Sequence, residues 1–208
     1  MHLPDSVLSA PVLVGGAALA AGGVALGLRR MDIDRVPQVA VLASALFVAS
    51  LVHVPVPPTS AHLVLNGLAG AVLGWSVFPA MLIALLLQAI LYGHGGLAGL
   101  GVNTVTMALP GVIVWQLFRG GMVRSPSRPA VFAFGALAGG LAVAMAIGLT
   151  ALALLASGRE YRTVALTAVV AHLPVMAVEA VVTGFVVTFV RKVRPELLGA
   201  RCGFGQPA

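Results

Sequence analysis

Apolar runs long enough to cross a lipid bilayer recur from one end of this chain to the other. A stretch of about 18 or more apolar residues with few charges reads as a membrane span. Seven candidates follow one another, at 8–28, 36–54, 60–76, 78–93, 97–118, 129–157 and 163–190. Charged residues make up 9% of the chain, against about a quarter in a soluble domain. The expected fold is therefore all-α: a polytopic membrane protein of about seven helices forming a single domain over 1–208. Residues 1–7 form a terminus outside the membrane, 8–190 the bundle and 191–208 a cytoplasmic tail. The third and fourth runs are short for a ~30 Å hydrocarbon core. One of them is expected to be broken or partly re-entrant, which the bilayer tolerates where the backbone is enclosed by protein.

The charges orient this bundle. Arg29, Arg30 and Arg35 follow the first run, Arg119, Arg124 and Arg128 separate the fifth from the sixth, and Arg191, Lys192, Arg194 and Arg201 follow the seventh. With seven spans these three clusters share a side; Arg159 and Arg162 face the other way. Positive loops stay in the cytoplasm, so the N-terminus is expected outside and the C-terminus inside. The same rule explains the net charge of +6 without nucleic acid. Residues 2–10 include Asp5 but neither Lys nor Arg, unlike a cleaved signal peptide. Met1 is expected to remain, because the bulky His2 disfavours its removal.

Under that topology all five histidines fall in the outer half of the membrane: His2, His53, His62, His94 and His172. His2 is the most telling. A free terminal amine, the backbone nitrogen of residue 2 and its imidazole Nδ1 can close two fused chelate rings on one metal, leaving a fourth planar position for another imidazole. Square-planar nitrogen donation suits Ni(II) or Cu(II). The alternative is a flexible terminal residue.

His62 lies in "PPTSAHLVLNGLAG", where Thr59 or Ser60 is a plausible helix cap and Asn66, at i+4, would share a face with it. The alternative is a histidine solvated at the headgroups, and that reading is stronger for His53 and His94 at span ends. "YGHGGLAGLGVNTVTMALPG" carries five glycines and then Asn103; it suggests a bent, close-packed entrance. Asn103 could hold a ligand histidine or join helices. In "AHLPVMAVEAVVTGF", His172 and Glu179 lie two turns apart on one helix face. Glu179 is an acid deep in the bilayer, with a packing or gating role or a structural hydrogen bond as its two readings.

No GxxxxGK[ST], HExxH or GxSxG motif occurs, so the chain can bind at its outer face but has no visible engine. The quoted segments resemble one family. "MHLPDSVLS" is similar to the "MHIPDG" terminus of the CbiM/NikM proteins, the metal-binding membrane components of energy-coupling-factor cobalt and nickel importers. "PPTSAHLVLNGLAGAVLG" resembles that family's segment with "SGHL". "GLAGLGVNTVTMALPG" resembles its "ALGAN" stretch, and "AHLPVMAVEAVVTGFVVTFVRKVRPELL" its last span. Ser6 and Ala61 stand where glycine is usual, and His94 where an acid is common.

The resemblance implies a metal held by Met1, His2 and His62, with His53, Asn66, His94, Asn103, His172 and Glu179 as pocket candidates. It implies Co(II) or Ni(II) as transported ligand, no resident cofactor and no catalysis by this chain. It also implies a cell-membrane assembly with a transmembrane coupling subunit, two cytoplasmic ATPases and a small two-span accessory subunit. The pairs Gly16/Ala20, Gly23/Gly27 and Ala45/Ala49 could dock the coupling subunit or pack within the bundle. Two other readings stay open: a subunit for an organic micronutrient such as a vitamin, and a membrane enzyme with a histidine-bound metal.

Overall fold

The computed structural model describes residues 3–51, 53–56 and 59–199; between 53 and 62 it describes the backbone alone. The elements are α1 (Ala10–Arg29), α2 (Val36–Leu51), β1 (His53–Val56), β2 (Thr59–His62), α3 (Asn66–Leu73), α4 (Val77–Tyr92), α5 (Leu100–Arg124), α6 (Arg128–Ser157) and α7 (Arg162–Val193). Local chemistry sets several boundaries. Pro11 and Pro129 occupy first-turn positions, where a missing N–H costs nothing. The Ser127 hydroxyl caps α6 by accepting from Ala130 N–H. Gly93, left-handed at φ 67°, ends α4.

Among the described residues six segments are long and apolar enough to span a membrane, against the seven expected: Ala10–Arg29, Ile33–Leu51, Asn66–Tyr92, Leu100–Arg124, Arg128–Ser157 and Arg159–Val193. The difference lies at 60–76. Residues 59–62 form a strand paired antiparallel with 53–56, so that His62 faces His53 and Thr59 faces Val56. The helix starts only at Asn66 and runs eight residues, about 12 Å. Neither Thr59 nor Ser60 is its cap; Leu65 takes that position in a left-handed conformation at φ 51°. His62 and Asn66 therefore do not share a helix face. Prolines 55, 57 and 58 favour extended backbone in the residues before them, and an extended hairpin replaces the expected first turns.

Within Asn66–Tyr92 the chain reverses at Gly74–Ser76. Gly70 of α3 lies against Gly111, and Gly74 against Trp115, so α3 runs parallel to α5. The C-terminal end of α1 meets the start of α4, Gly23 against Phe78, Gly27 against Trp75 and Pro79, and Arg30 over the Trp75 ring, so α4 runs antiparallel to α1. The expected broken, partly re-entrant element is thus α3, entering from mid-bundle. Gly67 against Gly139 and Gly70 against Gly111 let α3 wedge between α6 and α5 at backbone distance; every one of its residues is buried. Most of the proposed docking pairs are absorbed in the same way. Gly16 packs on Val102, Gly23 on Phe78 and Gly27 on the Trp75 carbonyl. Large apolar side chains such as Val14, Leu19, Phe185 and Phe189 point outward instead, as a lipid-facing surface requires.

Described members of the three basic clusters, Arg30, Arg119 and Arg191, meet at one end of the bundle. Arg30 lies 5.0 Å over the Trp75 ring and Arg119 5.3 Å over Trp115. Arg119 also donates to the Gly199 carbonyl, and Arg191 to that of Ser125. After α7 the short turn Pro195–Leu198 folds back beneath α3 and α5, burying Leu198.

Candidate functional site

At the opposite end, two segments outside the long helices are fastened to the bundle. The first is the N-terminal stretch from Leu3 to Ser9. Leu3 N–H donates to Asn103 Oδ1 at 2.9 Å, and Asn103 Nδ2 donates back to the Leu3 carbonyl at 3.1 Å. Asn103 is buried on the first turn of α5, so it reads a peptide group as a base pair would be read, through one donor and one acceptor. Asp5 accepts from the N–H groups of Ala98 and Gly99, unpaired donors at the start of α5 that favour a carboxylate. Ser9 N–H donates to Ser157 Oγ at 3.1 Å. Leu3 and Leu8 complete the attachment by packing with Val102, Leu154 and Ala165. The glycine-rich approach to α5 makes the contact feasible. Gly96, at φ 69°, adopts a conformation that side chains avoid, and a Cβ there would collide with the Asp5 carboxylate.

The second segment joins β2 to α3. Glu179 Oε1, wholly buried on α7, accepts from the backbone N–H groups of both Val64 and Leu65. This carboxylate holds Leu65 in its left-handed conformation and closes the hairpin onto the bundle. Asn66, also wholly buried, pegs the next residue. Its Nδ2 donates to the carbonyls of Met107 on α5 and Ala142 on α6, each at 3.3 Å, and its Oδ1 accepts from Gly67 N–H at 2.9 Å.

These two attachments converge. Leu3 is held at Asn103 and Asn66 at Met107, one turn apart on the same helix, about 6 Å along its axis. Met1 and His2 lie immediately before Leu3 in the chain, and outside the described residues. His62 ends β2, two residues before Val64; its side chain is outside the description, as is that of His53, its Cα partner across the hairpin. The ligand set expected from the sequence is therefore bracketed by described structure. Among the described residues no three His, Cys, Asp or Glu side chains gather into a metal cluster.

The other candidates separate. Asn103 bonds a peptide group, not a histidine. His172 is wholly buried on α7, with Nδ1 donating to the Ala168 carbonyl at 2.8 Å. His94 is exposed in the loop after α4, its ring 6.0 Å from that of Tyr92. Sequence alone assigns no anchoring role to Asp5, Ser157 or the Val64–Leu65 peptides. Only Asp5 carries a visible signal, an acid set beside the first turn of the chain; the rest depend on partners over 100 residues away.

Comparison with known proteins follows the same line. The family CbiM, described as the cobalt uptake substrate-specific transmembrane region, matches residues 2–197. A Haemophilus influenzae protein whose name assigns it to metal transport is 43% identical over 199 residues, covering 95% of this chain and 97% of the relative. The fused nickel transport protein NikMN of Rhodobacter capsulatus is 36% identical over 120 residues, which is 55% of this chain and 35% of that one. The crystal structure of a truncated transition metal transporter superimposes with a TM-score of 0.78 at 26% identity, over 92% of this chain and 99% of that structure.

Proposed function

The chain belongs to the CbiM family and is a multi-pass cell-membrane protein of cobalt and nickel transport; from that premise we propose that it is the substrate-capturing subunit of an energy-coupling-factor importer. It binds Co(II) or Ni(II) at its outer face. The donors are the Met1 amine, the backbone nitrogen and Nδ1 of His2, and the imidazole of His62. The observation that carries this reading is the convergence on α5: the segments bearing Met1–His2 and His62 are fastened one turn apart, at Asn103 and Met107. The metal is cargo; the chain holds no resident cofactor and catalyses no reaction. Hydrolysis of ATP belongs to two cytoplasmic partner subunits, reached through a transmembrane coupling subunit, with a small two-span accessory subunit completing the assembly. A planar set of four nitrogens leaves no open equatorial site for an enzyme's water, and it disfavours Zn(II), which prefers a tetrahedron.

The test is metal analysis of purified protein together with a variant carrying one extra glycine before Met1. The wild type is expected to hold one Ni(II) or Co(II) per chain. The extension moves the free amine away from His2, so the chelate rings cannot close, while folding and insertion stay normal. It is expected to lose high-affinity binding, as are His2→Ala and His62→Ala. Wild-type affinity in the extended protein would exclude the terminal chelate.

A further inference from the structure

His172 carries an atom that nothing described so far employs. A carbonyl oxygen can only accept, so the 2.8 Å contact with Ala168 places the ring proton on Nδ1. Nε2 then bears the lone pair. It is buried and has no hydrogen-bond partner among the described residues, in a side chain 0% exposed. Buried polar atoms are nearly always paired. Metal-binding imidazoles are commonly arranged this way, one ring N–H held by a backbone carbonyl and the other nitrogen left for the metal.

Its height in the bundle is a separate observation. In the antiparallel α6–α7 pair, Gly135 lies against Gly184 and Gly139 against Thr183. Extending that register outward brings Thr150 level with His172, and Thr150 Oγ1 is likewise buried without a partner among the described residues. One step further out, Leu154 and Ala165 pack with Leu3. Two turns further in, Glu179 holds Val64 and Leu65. His172 thus stands between the anchors of the two segments that carry the proposed ligands.

We infer that His172 Nε2 is an axial nitrogen donor to the cargo cation and biases the site toward cobalt. The inference rests on the planar set proposed above. With the terminal amine, the His2 backbone nitrogen, His2 Nδ1 and the His62 imidazole in the plane, a fifth nitrogen can approach only along the axis. Low-spin Co(II) in a strong planar field has a single electron in its axial orbital and takes up one axial base. Planar Ni(II) fills that orbital and gains little from such a donor. His172 therefore discriminates between two cations that the planar nitrogens bind alike.

The experiment loads the full-length protein with Co(II) without oxygen and records its electron paramagnetic resonance. An axial nitrogen couples to the unpaired electron and splits the cobalt lines into triplets. Wild type is expected to show triplets, which become doublets when its histidines carry nitrogen-15 and vanish in His172→Ala. The same variant is expected to lose about tenfold in Co(II) affinity with a much smaller loss for Ni(II), by competition against a chelator. If His172→Ala does not insert, His172→Gln fills more of the space and carries the same comparison, and the isotope experiment needs no variant. Bound cobalt without axial coupling, coupling that persists without His172, or equal losses for both metals would overturn the inference. If metal binding is lost in His62→Ala yet wild type shows no axial coupling, only this inference fails. If wild type binds neither metal, the proposed function fails with it.

Discussion

At the scale of single residues, the proposed site is expected to depend on side chains that do not touch metal. Asn103 satisfies both the N–H and the carbonyl of Leu3 inside the protein. Removing such a partner strands two buried polar groups, each costing about 1–3 kcal/mol. Replacing Asn103 by Leu keeps the volume and removes both bonds. Loss of an outer-shell partner of a metal site commonly costs about 10- to 100-fold in affinity, and a loss in that range is expected for Asn103→Leu by chelator competition with Ni(II). Asp5→Ala is expected to act in the same direction but less, because Asp5 is only half-buried. Undiminished affinity in Asn103→Leu would mean that the amino-terminal residues find the metal without this clamp. The sequence marked Asn103 as a candidate but could not name what it binds, since Leu3 is 100 positions away and the bond is to backbone, which leaves no trace in residue type.

At the scale of elements, α3 decides where the hairpin sits. It is a short helix held by its glycines: a Cβ at Gly70 would meet the backbone of Gly111, and one at Gly67 the backbone of Gly139. Overpacking a tight interface costs about 1–3 kcal/mol even where side chains can yield, and backbone yields less. Gly70→Val is expected to lower the melting temperature in detergent and to abolish metal binding, because Asn66 and the Val64–Leu65 peptides move with α3. On α1, a methyl group added at Gly22 would meet nothing within 4 Å, so Gly22→Ala is expected to leave stability unchanged within about 0.5 kcal/mol. Equal melting of Gly70→Val and wild type would show that α3 is not wedged. The long helices were legible because apolar length alone defines them. The start of α3 was not, because "SAHLVL" suits a strand or a buried helix equally well, and Glu179, which holds its end, comes 115 positions after Val64. The glycine pairs were legible as close contacts, but the sequence does not distinguish a neighbour inside the bundle from a partner outside it.

At the scale of the whole molecule, the arrangement of charge is what orients the proposed capture site. α1, α3, α5 and α7 run one way and α2, α4 and α6 the other, so the spans among the described residues number six while the helices alternate in direction as those of a seven-pass bundle would. The short α3, entering from mid-bundle, reconciles the two. Arg30, Arg119 and Arg191 consequently lie at the end opposite Leu3 and Asp5. Positive loops are retained in the cytoplasm; under that rule the fastened N-terminal segment is expected to face outward, as the proposed capture requires, and the C-terminus inward, toward the proposed ATPase partners. The chain has a single cysteine, Cys202, beyond the last basic cluster, so the native protein carries its own reporter of sidedness. In intact cells a membrane-impermeant maleimide is expected to leave Cys202 unlabelled and to label it after permeabilisation. A variant with Cys202→Ser and Ser6→Cys is expected to react in intact cells instead. Labelling of Cys202 from outside would invert the orientation, place the proposed chelate in the cytoplasm, and turn the reading of this protein from metal capture for import to a site facing the cell interior.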